Sequence, residues 1–456
     1  MIVKKLRLRN FRNYGLQEID FSDNLNMLYG ENAQGKTNIL EAIFLCSTGR
    51  SHRTQKDAEL IKFGEGAALV ELELGRKDYG DFVIEIEIQR SGRKSIRING
   101  TPQRRAGDLL GLLNCVIFSP EDLSIIKDEP QQRRRFLDMF VSQIKPAYYF
   151  NLHRYLGILR QRNALLRQVR EEPRLLDTLG AWNEPLAEAG AAVMREREYF
   201  VRMIGGYAGA GHTMIAGGGE ELHVVYEPSV RFSGESDVKN DFLRALEAGL
   251  QGDLARMSTG CGPHKDDISC AIGGRSLRLY GSQGQQRTAA LALKMAQTDA
   301  MAEVTGDSPV LLLDDVMSEL DQGRRRNLSN NMKNAQTFMT GTERGLAGII
   351  DCGAKFFYVS GGTVAPDITG ETAGARREEH RETAGERCVE HGETAGARRE
   401  EHSETAGARR EEHSETAGAR REEHSGTAGA RREEHSGTAG ARQSDEMIDK
   451  RRDNFI

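Results

Sequence analysis

The sequence predicts an α/β protein with a helical insertion and a low-complexity tail, and three observations carry that prediction. Short alternating strands fill the first third of the chain. An apolar period of 3.6 residues takes over from about residue 131 to residue 204. Strands and helices then alternate again from residue 268 onward. A helical block set inside alternating strands and helices is the pattern of a layered α/β domain that carries an insertion.

The elements follow in order. Val3, Leu6 and Leu8 fall near alternation, and Leu25 to Tyr29 is a short run ending at Gly30. Residues 67–74, 82–90 and 94–98 alternate apolar with charged side chains, as half-buried strands do. Ser91-Gly92 and Asn99-Gly100 are the turn signals of hairpins. Residues 115–118 (CVIF) form another strand, and Ser119-Pro120-Glu121-Asp122 reads as a helix start. Leu152, Tyr155, Leu156, Leu159, Leu166 and Val169 follow a helical period that Pro173 breaks; a second helix runs through Leu186, Val193 and Phe200. The glycine-rich residues 205–219 are expected to form a loop, with a helix near 238–250 after it. Then come a strand at 268–272, a helix at 285–303, a strand at 310–313, a helix at 320–333, and strands at 336–340 and 355–359.

Composition separates a body from a tail. The 456 residues are 38% apolar and 29% charged, with a net charge of −5. Residues 371–442 hold 13 Arg and 17 Glu and no Leu, Ile, Phe, Tyr, Trp or Met, whereas residues 1–370 hold 47 basic and 47 acidic side chains. The body is therefore neutral, and any nucleic-acid surface on it must be local. Residues 371–436 are six near copies of an eleven-residue unit, ETAGARREEHS. An eleven-residue period suits a right-handed supercoil, but that needs an apolar seam, and alanine is the only recurrent apolar residue. A disordered, solvated tail is the expectation. No apolar run is long enough for a bilayer, the N-terminus has no signal-peptide core, and the six cysteines form no CxxC pair. These features predict a cytoplasmic protein with free thiols and no membrane partner.

Gly30-Glu31-Asn32-Ala33-Gln34-Gly35-Lys36-Thr37 fits G-x-x-x-x-G-K-[ST], between a strand (LNMLY) and a helix (NILEAIF). Glycines let backbone N–H groups turn inward around phosphate oxygens, and the helix N-terminus adds partial positive charge. Lys36 is the candidate for the β- and γ-phosphates of ATP, and Thr37 for Mg²⁺. Val310 to Leu313 is an apolar strand followed by Asp314 and Asp315. Acids at that end of a parallel strand lie at the ligand edge of a sheet. Asp314 is the second candidate metal ligand, and Asp315 is the candidate for orienting the attacking water. Ser282-Gln283-Gly284-Gln285 opens a long helix and is a second phosphate-facing turn, and Ser318-Glu319-Leu320-Asp321 follows the acidic strand. P-loop, Ser-x-Gly-Gln turn, acidic strand and Ser-x-Leu-Asp occur in the order of an ABC-type ATPase, a class in which the signature turn of one protomer covers ATP on the P-loop of another.

Seven segments make the resemblance narrower: LRNFRNY (8–14), YGENAQGKTNILEAI (29–43), FSPEDL (118–123), RRRFLD (133–138), GPHKDD (262–267), YGSQGQQRT (280–288) and LLLDDVMSELD (311–321). Over roughly residues 1–365 the chain resembles the RecF family. The resemblance implies an ABC-type P-loop ATPase head with a helical insertion lobe and no long coiled coil. It divides the chain into ATPase lobe I (1–145 and 255–365), a mainly helical lobe II (146–254) and a tail (366–456). It also implies a DNA replication and repair role, with an ATP-dependent homodimer on double-stranded and gapped DNA. Slow DNA-stimulated hydrolysis with Mg²⁺, and work with RecO and RecR in loading RecA, belong to the same implication. Lys36, Asp314, Asp315 and Ser282 would carry the chemistry, with residues 30–37, Gln283 and Gly284 around ATP. The alternatives are the ATPase subunit of a transporter and a chromosome-organising ABC protein.

Two positions depart from the wider ABC pattern. Asp315 stands where many such proteins carry Glu, and the strand QTFMTGTE (336–343) lacks a histidine that often follows it. Thr340 and Thr342 are the candidates for that place. Residues 90–105 hold six basic side chains and no acid: Arg90, Arg93, Lys94, Arg97, Arg104 and Arg105. Residues 151–170 hold Arg154, Arg160, Arg162, Arg167 and Arg170, again without acid. Both clusters are candidate phosphate contacts for DNA, Arg160 and Arg167 foremost in the second. Arg133-Arg134-Arg135 is expected to form internal salt bridges near the nucleotide, with DNA contact as the alternative, and His264 to be a structural turn residue, with an interface role as the alternative.

Overall fold

The computed structural model describes residues 1–367, except 78, 219, 233, 235–236, 321–322, 326–327, 329–331 and 345–353. The tail from residue 368 and Asp321 lie outside the described residues, as does half of the helix expected over 320–333. Residues 1–372 form one compact unit.

Six strands make the central sheet: β3 (Leu25–Tyr29), β8 (Cys115–Phe118), β12 (Val310–Leu313), β13 (Thr337–Gly341), β14 (Lys355–Ser360) and β15 (Thr363–Pro366). Their spatial order is β15-β14-β3-β13-β12-β8. All pairs are parallel except the terminal hairpin of β14 with β15. Alternate side chains of each strand point to opposite faces. Leu28, Val310, Leu312 and Phe338 therefore join one buried cluster, while Met27, Leu311, Leu313 and Met339 join another.

The first cluster lies under an antiparallel sheet of order β2-β1-β4-β5-β6-β7, built from β1 (Ile2–Arg9), β2 (Leu16–Asp20), β4 (Ala67–Arg76), β5 (Gly80–Gln89), β6 (Ser95–Ile98) and β7 (Thr101–Gln103). Helix α1 (Lys36–Thr48) shares that cluster and is buried over most of its length. Both hairpin expectations hold: β5 pairs β6, and Asn99 and Gly100 turn β6 into β7 with φ of 49° and 75°.

The second cluster is covered by helices α2 (Pro130–Ile144), α3 (Pro146–Gln168), α4 (Gly180–Ala216) and, after α5 (Val238–Ala248), α6 (Gln283–Thr305). A small sheet of β9 (Leu222–Glu227), β10 (Asp267–Ile272) and β11 (Arg275–Ser276) packs with them. Among the described residues no helix is long and apolar enough to cross a membrane.

One expectation fails outright. Residues 205–216 are not a loop but the last three turns of α4, which stops at Gly217 with φ 78°. Ile204, Ala208 and His212 supply a buried stripe at i, i+4 spacing. The glycines admit β9: a Cβ on Gly205 would meet the Val224 carbonyl oxygen at 3.1 Å, and one on Gly209 the Leu222 oxygen at 3.1 Å. Packing outweighs the cost of about 1 kcal/mol per helical glycine.

Candidate nucleotide site

The site lies where β3, β13, β12 and β8 end, at the edge that open parallel sheets use for ligands. β3 runs into Gly30, whose φ of 146° opens the loop. A Cβ there would meet the Val359 carbonyl oxygen at 2.3 Å, so no side chain fits. Ala33 (φ 64°) and Gly35 (φ 119°) continue the left-handed backbone that turns successive N–H groups to one side. Glu31, Asn32 and Ala33 are exposed at the rim, and Gln34 is half-buried. Lys36 begins α1 and is buried; its Nζ donates to the carbonyls of Gly30 (2.6 Å) and Glu31 (2.7 Å). Burial pulls its pKa down, while Asp315 and Asp314 pull it up less strongly.

Thr37 meets the acidic strand. Its Oγ1 donates to Asp314 Oδ1 at 2.8 Å, and Thr340 Oγ1 donates to the same oxygen at 2.9 Å. The sheet order explains this convergence: β13 lies between β3 and β12, so Thr340 stands between the P-loop and the acids. Of the two threonines expected near the place of that histidine, Thr340 is buried beside Asp314 and Thr342 is exposed. Asp315 has φ 53°, a costly conformation for a side-chain-bearing residue, and its N–H donates to Thr340 Oγ1 at 2.9 Å. Its exposed carboxylate accepts from Ser318 Oγ at 3.1 Å. One hydroxyl and one carboxylate oxygen form a hard-donor pair suited to Mg²⁺ completed by phosphate and water oxygens. Among the described residues no group of three His, Cys, Asp or Glu could hold a metal alone.

Motif spacing assigns no role to the residues that brace this loop. Asn13 Nδ2 donates to the Gln34 carbonyl at 2.7 Å, and Tyr14 OH to the Gly35 carbonyl at 3.0 Å. Arg12 forks onto Glu41 of α1 at 2.8 and 2.7 Å. Burial alone would raise the Glu41 pKa, but Arg12 and the Ser51 hydroxyl outweigh it and hold the carboxyl below its ordinary value. The segment LRNFRNY thus buttresses the P-loop. Only its place in the family pattern signalled this, because the contacts cross about twenty residues of chain.

Ser282 caps α6: its Oγ accepts from Gln285 N at 3.2 Å, and Gln285 Oε1 accepts from Ser282 N at 2.9 Å. Ser282, Gln283 and Gly284 are exposed. Their hydrogen bonds stay within this turn and helix, and none reaches residues 30–37.

The segments RRRFLD and GPHKDD meet in space. Arg133 forks onto Asp267 at 2.6 and 2.9 Å, and Arg134 donates to the Asp266 carbonyl at 2.7 Å. Arg197, fully buried, donates to Asp138 at 2.8 Å and to the Pro263 carbonyl at 2.6 Å. Tyr148 bonds Asp138, and Tyr226 bonds Asp266. Arg133 therefore forms the expected internal pair, whereas Arg135 is exposed. His264 is structural as expected, held by Tyr155 OH at 2.6 Å and the Thr259 carbonyl at 3.0 Å.

Of the basic clusters, Arg90, Arg93, Arg97, Arg104, Arg105, Arg160 and Arg167 are exposed. Lys94 is half-buried and pairs with Asp57 at 2.9 Å. Arg162 cannot contact DNA: it is fully buried, bonded to Asp253 (2.8 Å), Thr259 (2.7 Å) and Asn183 (2.9 Å). Its period along α3 places it on the inner face, a position that counting charges does not distinguish.

Residues 2–347 match the family model for the RecF/RecN/SMC N-terminal domain. The chain is 45% identical over 368 residues to the DNA replication and repair protein RecF of Ruminiclostridium cellulolyticum, covering 80% of this chain and 99% of that one. The chain belongs to the RecF family. A second RecF, from Acetivibrio thermocellus, is 44% identical over 76% of this chain and 94% of its own. Among solved structures, the recombination mediator protein RecF with ATP in the RecFOR pathway superposes with a TM-score of 0.76 at 37% identity, over 80% of this chain and 98% of that one. An Smc head domain from Pyrococcus furiosus shares the fold at 19% identity and a TM-score of 0.50. The fold is thus the ABC-type head common to RecF and SMC proteins. The family is one of DNA replication and repair proteins, which favours that role over a transporter subunit.

Proposed function

We propose that the chain is an ATP-gated DNA-binding protein of recombinational repair and replication-fork maintenance. The observation that carries this reading is the convergence of Thr37 and Thr340 on Asp314 beside the P-loop, with Ser282 exposed on a separate helix start. Residues 30–37 hold the ATP phosphates, and Thr37 and Asp314 hold Mg²⁺. When bound there, Mg²⁺ neutralises charge on the β- and γ-phosphate oxygens. Lys36 sits on the phosphates, Thr340 keeps the Asp314 carboxylate turned toward Thr37, and Asp315 orients the attacking water. Asp315 is one methylene shorter than Glu, which suits a slow, DNA-stimulated switch.

Ser282, Gln283 and Gly284 of each protomer cap the ATP of the other, and ATP closes a homodimer around duplex or gapped DNA. The exposed arginines 90, 93, 97, 104, 105, 160 and 167 contact DNA phosphates, with Lys94 as a lesser contributor. We read 1–145 and 255–365 as ATPase lobe I and 146–254 as lobe II. RecO and RecR are the partners this reading names, with RecA loading as the outcome and the cytoplasm as the location. The solved RecF relative holds ATP and belongs to the RecFOR pathway.

The test is size-exclusion chromatography with and without ATP, together with a gel shift on gapped duplex DNA. ATP-dependent dimers that bind DNA are expected, with Lys36→Arg retaining some ATP binding without turnover and Asp314→Asn losing Mg²⁺-dependent activity. No ATP-dependent dimer and no DNA binding would overturn the reading.

A further inference from the structure

Helix α6 is packed with Ala, Leu and Met on its inner side, yet Lys294 lies among them, 5% exposed. Its ammonium is 3.7 Å from Asp122 Oδ1, and the Phe136 ring centre lies 5.6 Å away. A lone buried ammonium is costly, and an apolar residue of the same length would pack there without charge. The charge therefore calls for a reason beyond filling space.

The surroundings are polar. A cavity of about 160 Å³ opens beside Lys294, lined among others by Phe44 at the end of α1, His52, Asp122, Gln143 of α2 and Gln297 of α6. His52 Nδ1, Gln143 Nε2 and Gln297 Oε1 are buried without a hydrogen-bond partner among the described residues. Orphans on separate elements facing one polar cavity are the mark of internal water, and the space accommodates several molecules. The joint between α6 and the nucleotide core thus carries a charged pair and three unpaired buried polar atoms, not a wholly apolar contact.

Asp122 connects that joint to the site. Its Oδ2 accepts from Ser119 N at 2.8 Å, closing the turn that follows β8. The last residue of β8, Phe118, accepts the N–H of Asp314 at 2.9 Å. At the other end, Lys294 lies twelve residues, a little over three turns or about 18 Å, from Ser282. Burial pushes the Lys294 pKa down and that of Asp122 up, each opposed by the partner, as in a pair whose strength depends on its separation.

We propose that Lys294 is a positioning residue: through Asp122 it fixes the register of α6 against the turn beside Asp314, and so holds Ser282 where a second copy's nucleotide needs it. The inference rests on the ATP-closed dimer proposed above. The pair joins the signature helix to the core at one charged point, so moving that point shifts the cap while the P-loop of the same protomer stays as it is.

The experiment compares full-length wild type, Lys294→Met and Lys294→Arg. Three quantities are read: binding of a fluorescent ATP analogue to the protomer, ATP-dependent self-association by sedimentation, and amide hydrogen exchange over residues 283–288 without nucleotide. Lys294→Met is expected to bind nucleotide within about twofold of wild type, to self-associate roughly tenfold more weakly, and to exchange faster at 283–288. Lys294→Arg is expected to restore both losses in part. Should Lys294→Met fail to fold, Asp122→Asn breaks the same pair and is expected to give the same pattern. Unchanged self-association, unchanged exchange, or an equal loss of nucleotide binding would overturn the proposal. A wild type that does not associate with ATP overturns the dimer reading instead, and the exchange data still decide whether Lys294 positions the helix.

Discussion

Thr340 Oγ1 lies 2.9 Å from Asp314 Oδ1 and, through its lone pair, accepts the N–H of Asp315 at the same distance. One hydroxyl on a strand of its own thus orients the carboxylate of one acid and the backbone of the next. Thr340→Val should lower ATP turnover by about tenfold or more while leaving nucleotide affinity within a few-fold, and Thr340→Ser should keep most of the activity. Steady-state kinetics with a separate binding titration checks the split.

Asn13 holds the Gln34 carbonyl and also accepts from Asn38 Nδ2 at 2.9 Å. Asn13→Ala should weaken nucleotide binding about three- to tenfold, since a hydrogen bond contributes about 1 kcal/mol and a buried orphan costs more. Tyr14→Phe should do the same more mildly. Equilibrium titration measures the effect, with Tm moving by only a few degrees.

His264 is pushed down to about 4, chiefly by burial, with the Thr259 carbonyl opposing and Lys265, Arg134 and Arg197 adding to the shift. Below its ordinary 6.5 the unfolded chain binds a proton that the folded chain refuses. Stability should therefore be full above pH 6.5 and fall as pH drops toward 4, by up to about 3 kcal/mol. Glu41 adds a second loss at lower pH: its depressed carboxyl stabilises above its ordinary value and loses that contribution as pH falls through the folded one. Urea midpoints at pH 7, 5.5 and 4.5 for wild type and His264→Gln test this, the variant giving the flatter profile between 6.5 and 4.5.

Arg197 is buried between Asp138, Asp266 and the Pro263 carbonyl. Arg197→Met leaves those carboxylates without their cation and should destabilise by about 3–5 kcal/mol. Denaturant melts provide the measure, and nucleotide binding by the remaining folded fraction should be retained.

Arg97 and Arg104 are exposed beside the β6–β7 hairpin. Replacing both with Glu should weaken duplex DNA binding at every sequence and reduce the slope of log K against log salt by about one per arginine. ATP binding should not change. Fluorescence anisotropy at four salt concentrations resolves the slope.

Much of this was legible in the chain, unevenly. The P-loop and the acidic strand could be read because glycine spacing, a lysine and two carboxylates are required by phosphate chemistry whatever surrounds them. The β5–β6–β7 hairpins could be read because turn residues act locally. Residues 205–216 were misread because their glycines serve a contact with β9, a strand that sequence patterning did not mark. Arg162 was misread because a buried arginine and a DNA-facing one look alike until Asp253 is found across 91 residues. Asn13, Tyr14 and Lys294 carry no local signature, since each acts on a segment far along the chain.

The sheet order also sets a schedule for synthesis. β3 delivers the P-loop by residue 30, but its two neighbours, β13 and β14, are encoded after residue 336. At ordinary elongation rates of about 5–20 residues per second, the P-loop strand leaves the ribosome roughly 15 to 60 seconds before either neighbour exists. Until then Gly30 lacks the Val359 carbonyl that closes over it, and Asp314 lacks Thr340. A nascent or truncated chain therefore cannot assemble the nucleotide half-site, and competence for ATP arrives with the final strands.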